Sequence, residues 1–157
     1  MNKPAIAGST LTAGVNHVAI ITRDLDRAVE FWRSVLGAEF RETSDERGRH
    51  GFVELAPGET SVLHLFEIPE SFTGPHPTGP MMQRGRIDHV AIAAAGESAL
   101  VEIRDRLVAR RASMGSIQLF DGTFLSIHGI DPDGMEFEVG CSRSGELLTE
   151  ADWLPAT

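Results

Sequence analysis

The sequence predicts an α+β domain built from two tandem βαβββ modules. The first observation behind this is a repeat: the strand-like segment at 14–20, which contains His17, is echoed at 86–92, which contains His89. The second is a helical pattern of apolar residues after each copy, and the third is a set of short, turn-separated strand candidates after each helix. The chain of 157 residues is long enough for one such domain with a buried core.

Local signals mark the elements of each half. In the first half, Asp24 is a helix N-cap and Gly37 ends the helix, and in the second a helix is predicted from about Glu97 to Ala112. The segment Asp131-Pro132-Asp133-Gly134 is a tight hairpin turn. Strands are predicted at about 38–44, 50–56 and 60–68, and again at about 115–120, 123–130 and 135–140.

These elements predict one domain with four parts: a first module at about 12–68, a linker at 69–85, a second module at about 86–141, and a tail at 142–157. The linker is rich in Pro and Gly, so it is predicted to be a loop and is a candidate lid.

Composition excludes several classes of partner. The formal net charge of −9, with 14 basic and 23 acidic residues, argues against nucleic acid, whose phosphates require clustered Lys and Arg. No apolar run is long enough to span a membrane, and the first residues lack the apolar stretch of a signal peptide. A lone Cys141 excludes an intrachain disulfide framework and indicates a cytoplasmic protein.

Four side chains that can ligate a metal fall at equivalent places in the two halves. His17 and His89 lie on the first strands, where the small Ala19 and Ala91 share their face and leave space for a bound molecule. Two further candidates, His64 and Glu138, interrupt the apolar last strands. Imidazoles with a carboxylate suit Fe(II), Zn(II), Ni(II), Co(II) or Mn(II).

The alternative for any single strand histidine is a structural, hydrogen-bonded residue, which is the commoner case. The repeat favours a metal, because a carboxylate buried without a partner would cost on the order of several kcal/mol. Glu136 shares the strand face of Glu138, and alternation leaves the choice between them open. His50 and His76 lie in turn-rich segments, where we expect them to be exposed.

The paired halves, the strand histidines and the Asp131-Pro132-Asp133-Gly134 turn with Glu138 four residues later together resemble the vicinal oxygen chelate superfamily. This superfamily includes glyoxalase I, methylmalonyl-CoA epimerase, extradiol ring-cleaving dioxygenases, and the fosfomycin and bleomycin resistance proteins. The resemblance covers about residues 14–141. It implies that the two modules form a cup-shaped open β-barrel with flanking helices around one divalent metal.

The resemblance also implies roles for the candidate residues. His17, His89 and Glu138 match metal ligands, Glu138 because the family's carboxylate falls four residues after the hairpin glycine. His64 matches a fourth position that holds Glu in glyoxalase I and Gln in the epimerase, so it is either a ligand or an acid/base group. A small-molecule substrate and a homodimer are implied, with the metal site either within one chain or shared between two.

Within the superfamily, the C-terminal third is most similar to extradiol dioxygenases, both at Phe137-Glu138-Val139-Gly140 and at 145–153. Those enzymes carry an acid/base Tyr ten residues before the Glu ligand, and here that position is His128 in a chain without Tyr. An imidazole can do similar proton transfer at neutral pH. The alternative is that His128 is an ordinary strand residue.

Counting coordination positions separates the possible functions. Three protein ligands on octahedral Fe(II) leave room for a bidentate catecholate and O₂, which predicts a dioxygenase-like enzyme with His64 and His128 as acid/base groups. Four ligands on Zn(II), Ni(II) or Co(II) suit a lyase, isomerase or epimerase instead. A third alternative is a non-catalytic drug-binding protein of the bleomycin resistance type, but those proteins lack the metal ligands found here.

Overall fold

The computed structural model describes residues 16–46, 48–57, 62–68, 87 and 89–145. Each half has the order strand, helix and three strands, so the predicted pair of βαβββ modules is confirmed. The first half comprises β1 (His17–Thr22), α1 (Leu25–Leu36), β2 (Glu39–Asp45), β3 (Gly48–Glu54) and β4 (Val62–Glu67). The second comprises β5 (Val90–Ala93), α2 (Glu97–Ala109), β6 (Gln118–Phe120), β7 (Phe124–Ile130) and β8 (Glu136–Ser142).

Each half forms its own four-stranded mixed sheet with the same topology. The strand orders are β1-β4-β3-β2 and β5-β8-β7-β6. In each sheet the first and last strands of the module are parallel neighbours, and the other pairings are antiparallel. Since the described strands form two separate sheets, the closure of both into one cup-shaped barrel remains a prediction.

Helix α1 has the boundaries that its caps predict. The side chain of Asp24 accepts a hydrogen bond from the backbone N–H of Arg27 at 3.0 Å, which satisfies one of the free donors of the first turn. Gly37 adopts the left-handed conformation at φ 69° and donates its N–H to the carbonyl of Arg33. Between these caps, Leu25, Trp32 and Val35 are fully buried.

Helix α2 ends earlier than the predicted Ala112. The helix stops at Ala109 because Arg111 adopts the left-handed conformation, with φ 56°. The N–H groups of Arg111 and Ala112 then bond the carbonyls of Val108 and Leu107, which closes the last turn. The apolar spacing alone could not reveal this stop, because the left-handed position is occupied by Arg rather than Gly.

The two modules contact each other through their helix-facing sides. Phe137, on the helix side of the second sheet, packs on Trp32 and Phe31 of α1, with ring centroids 4.8 and 6.0 Å apart. At the edge of this junction, the hydroxyl of Thr22 donates to Asp133 at 2.5 Å. The core is therefore continuous between the halves, and the sheet faces away from the helices are left open.

Those open faces carry the residues that the sequence placed opposite the core. In β1, Ile20 is buried while His17, Ala19 and Ile21 are exposed, and Ile21 keeps 62 % of its surface. In the second half Ile130 is 55 % exposed on the corresponding face. The predicted alternation is confirmed, and it puts the candidate ligands on the open side of each sheet.

Several predictions fall outside the described residues. The linker at 69–85, His76 and residues 146–157 of the tail are among them, so the module boundaries remain predictions. Among the described helices, none has the length and apolar composition required to cross a membrane.

Candidate functional site

Strand register sets the candidate ligands of each half beside one another. In the first sheet Ala19 of β1 is opposite His64 of β4, and in the second Ala91 of β5 is opposite Glu138 of β8. The strand histidine that precedes each Ala by two residues lies on the same face. The two halves therefore present the same arrangement, with His64 in the first taking the place that Glu138 has in the second.

In the first half, His17 and His64 form an edge-on imidazole pair whose ring centroids are 5.8 Å apart. Nδ1 of His17 lies 2.8 Å from the side-chain oxygen of Asn16. Because an amide oxygen can only accept, this contact favours the tautomer with a proton on Nδ1, which leaves on Nε2 the lone pair that a metal requires.

In the second half, His89 and Glu138 are in direct contact. Nε2 of His89 lies 3.2 Å from Oε2 of Glu138, whose side chain is only 13 % exposed. The two glutamates of β8 differ in their contacts: Glu138 contacts the strand histidine His89, whereas Glu136 contacts His128.

His128 lies directly beside this pair. It is opposite Glu138 in the β7–β8 register, and its Nε2 is 3.9 Å from Oε1 of that carboxylate. Its ring centroid is 5.4 Å from that of His89, and its Nδ1 is 3.4 Å from Oε1 of Glu136. A half-exposed imidazole next to a candidate ligand pair is where an acid/base group would act.

The described part of the chain does not bring the two pairs together. Among these residues, no group of three or more His, Cys, Asp or Glu side chains could hold a metal ion. Catalytic metals usually take at least three protein ligands, so each pair has the right donor chemistry but is only half of a site. The four predicted ligands therefore lie in two pairs, His17 with His64 and His89 with Glu138.

His50 is a residue whose role the sequence analysis missed. It was expected to be exposed, but it is 6 % exposed in β3, and its Nδ1 is 2.8 Å from Nε2 of His64. The expectation was wrong because β3 begins at Gly48, so His50 lies inside the strand and not at its end beside the turn. The signal that could have identified it is its alternation with Phe52, which places both on the open face.

The imidazole of His64 is enclosed by aromatic rings. Phe52 stacks on it with centroids 4.1 Å apart, and Phe66 covers it at 4.0 Å. Arg41 lies over the far ring of this stack, 4.6 Å from the centroid of Phe52. His64 is only 9 % exposed as a result.

A groove with a volume of about 880 Å³ is lined by His128 and Glu136 among other residues. Its lining includes exposed apolar side chains, namely Met114, which is 88 % exposed, and Ile130. Arg111 provides a cation at the same groove. This volume is within the roughly 300–1,000 Å³ typical of small-molecule sites.

The Asp131–Gly134 turn holds β8 in register for Glu138. Oδ1 of Asp131 accepts hydrogen bonds from the backbone N–H groups of Asp133 at 2.9 Å and Met135 at 2.8 Å. Gly134 adopts a φ of 88°, which favours glycine. Burial raises the pKa of Asp131 above its usual range, although the bonds from these N–H groups oppose the rise.

Comparison with solved structures finds the same fold in other proteins. One is a glyoxylase/bleomycin resistance protein/dioxygenase domain from Frankia sp. EAN1pec, with 20 % identity, a TM-score of 0.67, and coverage of 86 % of this chain and 96 % of that chain. Another is lactoylglutathione lyase from Agrobacterium tumefaciens, with 23 % identity, a TM-score of 0.56, and coverage of 84 % and 96 %.

A third is the fosfomycin resistance protein FosX from Listeria monocytogenes in complex with Mn(II) and sulfate. It has 18 % identity, a TM-score of 0.57, and coverage of 87 % of this chain and 98 % of that chain. At such identities the similarity establishes the fold alone.

Sequence comparison identifies the family. No curated protein matches the chain significantly. The model of the Glyoxalase/Bleomycin resistance protein/Dioxygenase superfamily matches residues 14–139, which include both modules. The predicted resemblance is confirmed, and the chain belongs to this superfamily, the vicinal oxygen chelate superfamily.

Proposed function

We propose that this protein is a divalent-metal-dependent enzyme with dioxygenase-like chemistry, acting on a small molecule that carries two adjacent oxygen atoms. The observation that carries the proposal is the cluster on the open face of the second sheet. There, Glu138 contacts His89 at 3.2 Å and has His128 at 3.9 Å from its other oxygen. A pair of metal ligands with a proton carrier beside it is what such chemistry needs.

The proposed roles follow from these contacts. His17, His89 and Glu138 would hold the metal, for which Fe(II) is favoured. When bound, the metal supplies Lewis acidity and a redox-active centre. Glu136, 3.4 Å from Nδ1 of His128, favours a proton on that nitrogen. Nε2 of His128 is then able to take a proton from a substrate hydroxyl.

The site is completed in this proposal by a second copy of the chain. His17 and His64 of one copy would meet His89 and Glu138 of the other, in a homodimer with two such sites. Support comes from the way each chain uses its surfaces: the helix sides are buried between its own modules, while both ligand pairs lie on open sheet faces. Apolar Ile21 and Ile87, 62 % and 75 % exposed, are residues that a partner would cover.

Mixed dimers test whether the site is shared. We would co-express His17→Ala and Glu138→Ala chains with different tags and isolate the mixed dimer. If the sites are shared, one site collects both substitutions and the other is intact, so metal binding returns to about half that of the wild type. If each site lies within one chain, both sites carry a substitution and binding is not restored. A monomer in solution would contradict the shared site directly.

A lyase, isomerase or epimerase is the second candidate function, and one observation favours it. His64 has in its sheet the register position that Glu138 has in the other, opposite the equivalent Ala. If His64 is a fourth ligand, the remaining positions suit a bidentate substrate on Zn(II), Ni(II), Co(II) or Mn(II). Mn(II) is the ion in the FosX structure described above.

The groove at His128 is the proposed site for the body of the substrate. Its apolar lining favours a ring or hydrocarbon portion, and Arg111, which also lines it, favours an anionic group on the substrate. The reacting oxygens would then be near His128, which lines the groove and lies beside Glu138.

Two assays separate the candidate functions. The first loads anaerobically purified protein with Fe(II) and measures O₂ consumption and coloured ring-fission products with a panel of catechols. The second loads it with Zn(II), Ni(II), Co(II) or Mn(II) and measures solvent deuterium exchange at carbon atoms next to a substrate carbonyl. Turnover in the first assay that is lost in His128→Phe supports the dioxygenase. Deuterium exchange in the second assay, without O₂ consumption in the first, supports the lyase, isomerase or epimerase.

A further inference from the structure

His50 and His64 form a buried hydrogen bond whose direction, from donor to acceptor, is determined by the surrounding groups. Nδ1 of His50 and Nε2 of His64 are 2.8 Å apart, so one nitrogen donates a proton and the other accepts it. The other nitrogen of His50, Nε2, is fully buried and has no hydrogen-bond partner within bonding distance. Its neighbouring charged group is the carboxylate of Asp45, with Oδ2 at 3.6 Å.

The carboxylate of Asp45 determines which ring nitrogen of His50 carries a proton. An ionised carboxylate can only accept, so it favours a proton on Nε2 of His50. In neutral His50, Nδ1 is then the acceptor, and Nε2 of His64 must be the donor. The reverse arrangement would direct the bare lone pair of the buried Nε2 of His50 at the carboxylate of Asp45 and leave that nitrogen without a donor, which is unfavourable in a buried site.

The aromatic surroundings keep the pair in this orientation. His50 stacks on Phe66 with an interplanar angle of 10°, and His64 is held between Phe52 and Phe66. This stacking fixes the planes of the two imidazole rings, with Nδ1 of His50 and Nε2 of His64 within hydrogen-bonding distance. With the proton of His50 on Nε2, facing Asp45, the hydrogen bond selects one tautomer of His64 rather than averaging over two.

We infer that His50 is a positioning residue that, with Asp45, holds His64 in the tautomer with a proton on Nε2 and a lone pair on Nδ1. His64 is thereby prepared to act through Nδ1, as a metal ligand or as a base. The inference depends on the proposed function only for the use of that lone pair. In the second half, Ser126 has the register position of His50 and Glu138 has that of His64, so the equivalent place holds a carboxylate, which has no imidazole tautomer to select.

The test measures the tautomer directly in metal-free protein. Two-dimensional ¹⁵N–¹H spectra of the imidazole side chains distinguish protonated from unprotonated nitrogens. We expect Nε2 of His64 to be protonated in the wild type. His50→Asn keeps an acceptor oxygen near the position of Nδ1 and should preserve this state, whereas His50→Phe and Asp45→Asn should give a mixture of tautomers. Ser126→Ala, at the equivalent position of the other half, is the matched control and should change nothing.

Metal affinity provides a second readout, with Mn(II) and Zn(II) as probes. Removing groups that orient a ligand typically weakens metal binding about 10–100-fold. If His64 is a fourth ligand, His50→Phe should lose that much and His50→Asn should recover most of it, whereas a His64 that acts as a base should leave metal affinity unchanged in both variants. A wild-type His64 with its proton on Nδ1, or an unchanged tautomer in Asp45→Asn and His50→Phe, would overturn the inference. If the wild type binds neither metal, the proposed function fails, while the spectra still decide the tautomer.

Discussion

The two glutamates of β8 offer a matched pair of substitutions that tests the metal proposal. Glu138→Gln and Glu136→Gln remove the same charge from the same strand face, two residues apart. They differ in surroundings: Glu138 is 13 % exposed and contacts His89, whereas Glu136 is 35 % exposed and contacts His128. We expect only the first substitution to abolish stabilisation by metal.

The magnitude follows from the linkage between binding and folding. At a metal concentration 100 times the Kd, binding stabilises the folded protein by about 2.7 kcal/mol. If Glu138→Gln weakens binding by about 100-fold, the stabilisation at the same concentration falls to about 0.4 kcal/mol. For a domain of this size, the metal-induced rise in Tm would drop from about 5–11 °C to about 1–2 °C.

The assay is thermal unfolding with and without Mn(II), Zn(II) or anaerobic Fe(II), followed by circular dichroism. Glu136→Gln should keep a rise in Tm close to that of the wild type. The reasoning is refuted if Glu138→Gln keeps the full rise while Glu136→Gln loses it, since the contacts with His89 and His128 would then predict the wrong carboxylate. A wild type that none of the three metals stabilises would remove the proposed centre altogether.

Three further predictions concern the surrounding structure. Phe137→Ala should reduce the free energy of unfolding by about 3–5 kcal/mol in urea, and Phe120→Ala by less than about 1 kcal/mol, because Phe137 is fully buried and Phe120 is 43 % exposed; similar losses would contradict the helix-side junction. Asp131→Asn keeps the turn acceptor without the buried charge. Since burial raises the folded pKa of Asp131 above its unfolded value, its ionisation opposes folding as the pH rises. The variant should therefore gain stability relative to wild type as the pH rises above about 4, and a declining difference would be inconsistent with this. Cys141, whose pKa burial and Glu97 raise, should react with iodoacetamide far more slowly in folded than in unfolded protein, and equal rates would indicate an accessible thiolate.

Sequence reasoning succeeded where the signals are local or repeated. Asp24 and Gly37 bound α1 because a cap acts on the adjacent turn, and the repeat of His17 at His89 identified the first strand of each module. The exposure of His50 was predicted wrongly, since its partner His64 is on a different strand and the pairing is not a property of either segment alone.

The arrangement of the two halves was beyond the reach of local patterns. It depends on the packing of Phe137 on Phe31 and Trp32, side chains more than a hundred residues apart in sequence. An apolar residue on a strand indicates that its face is buried, but not which element covers it. For the same reason, the sequence could predict four ligands but not that one chain gathers them as two pairs.

The parallel pairing of β1 with β4, and of β5 with β8, has a consequence for assembly. The two candidate ligands of each pair come from opposite ends of a module, so they are neighbours only when its first and last strands have paired. Contacts of such long sequence separation carry a loop-closure cost and slow folding. Under the proposed function, a partly unfolded chain lacks both ligand pairs, so a metal ion would bind only after both modules have folded.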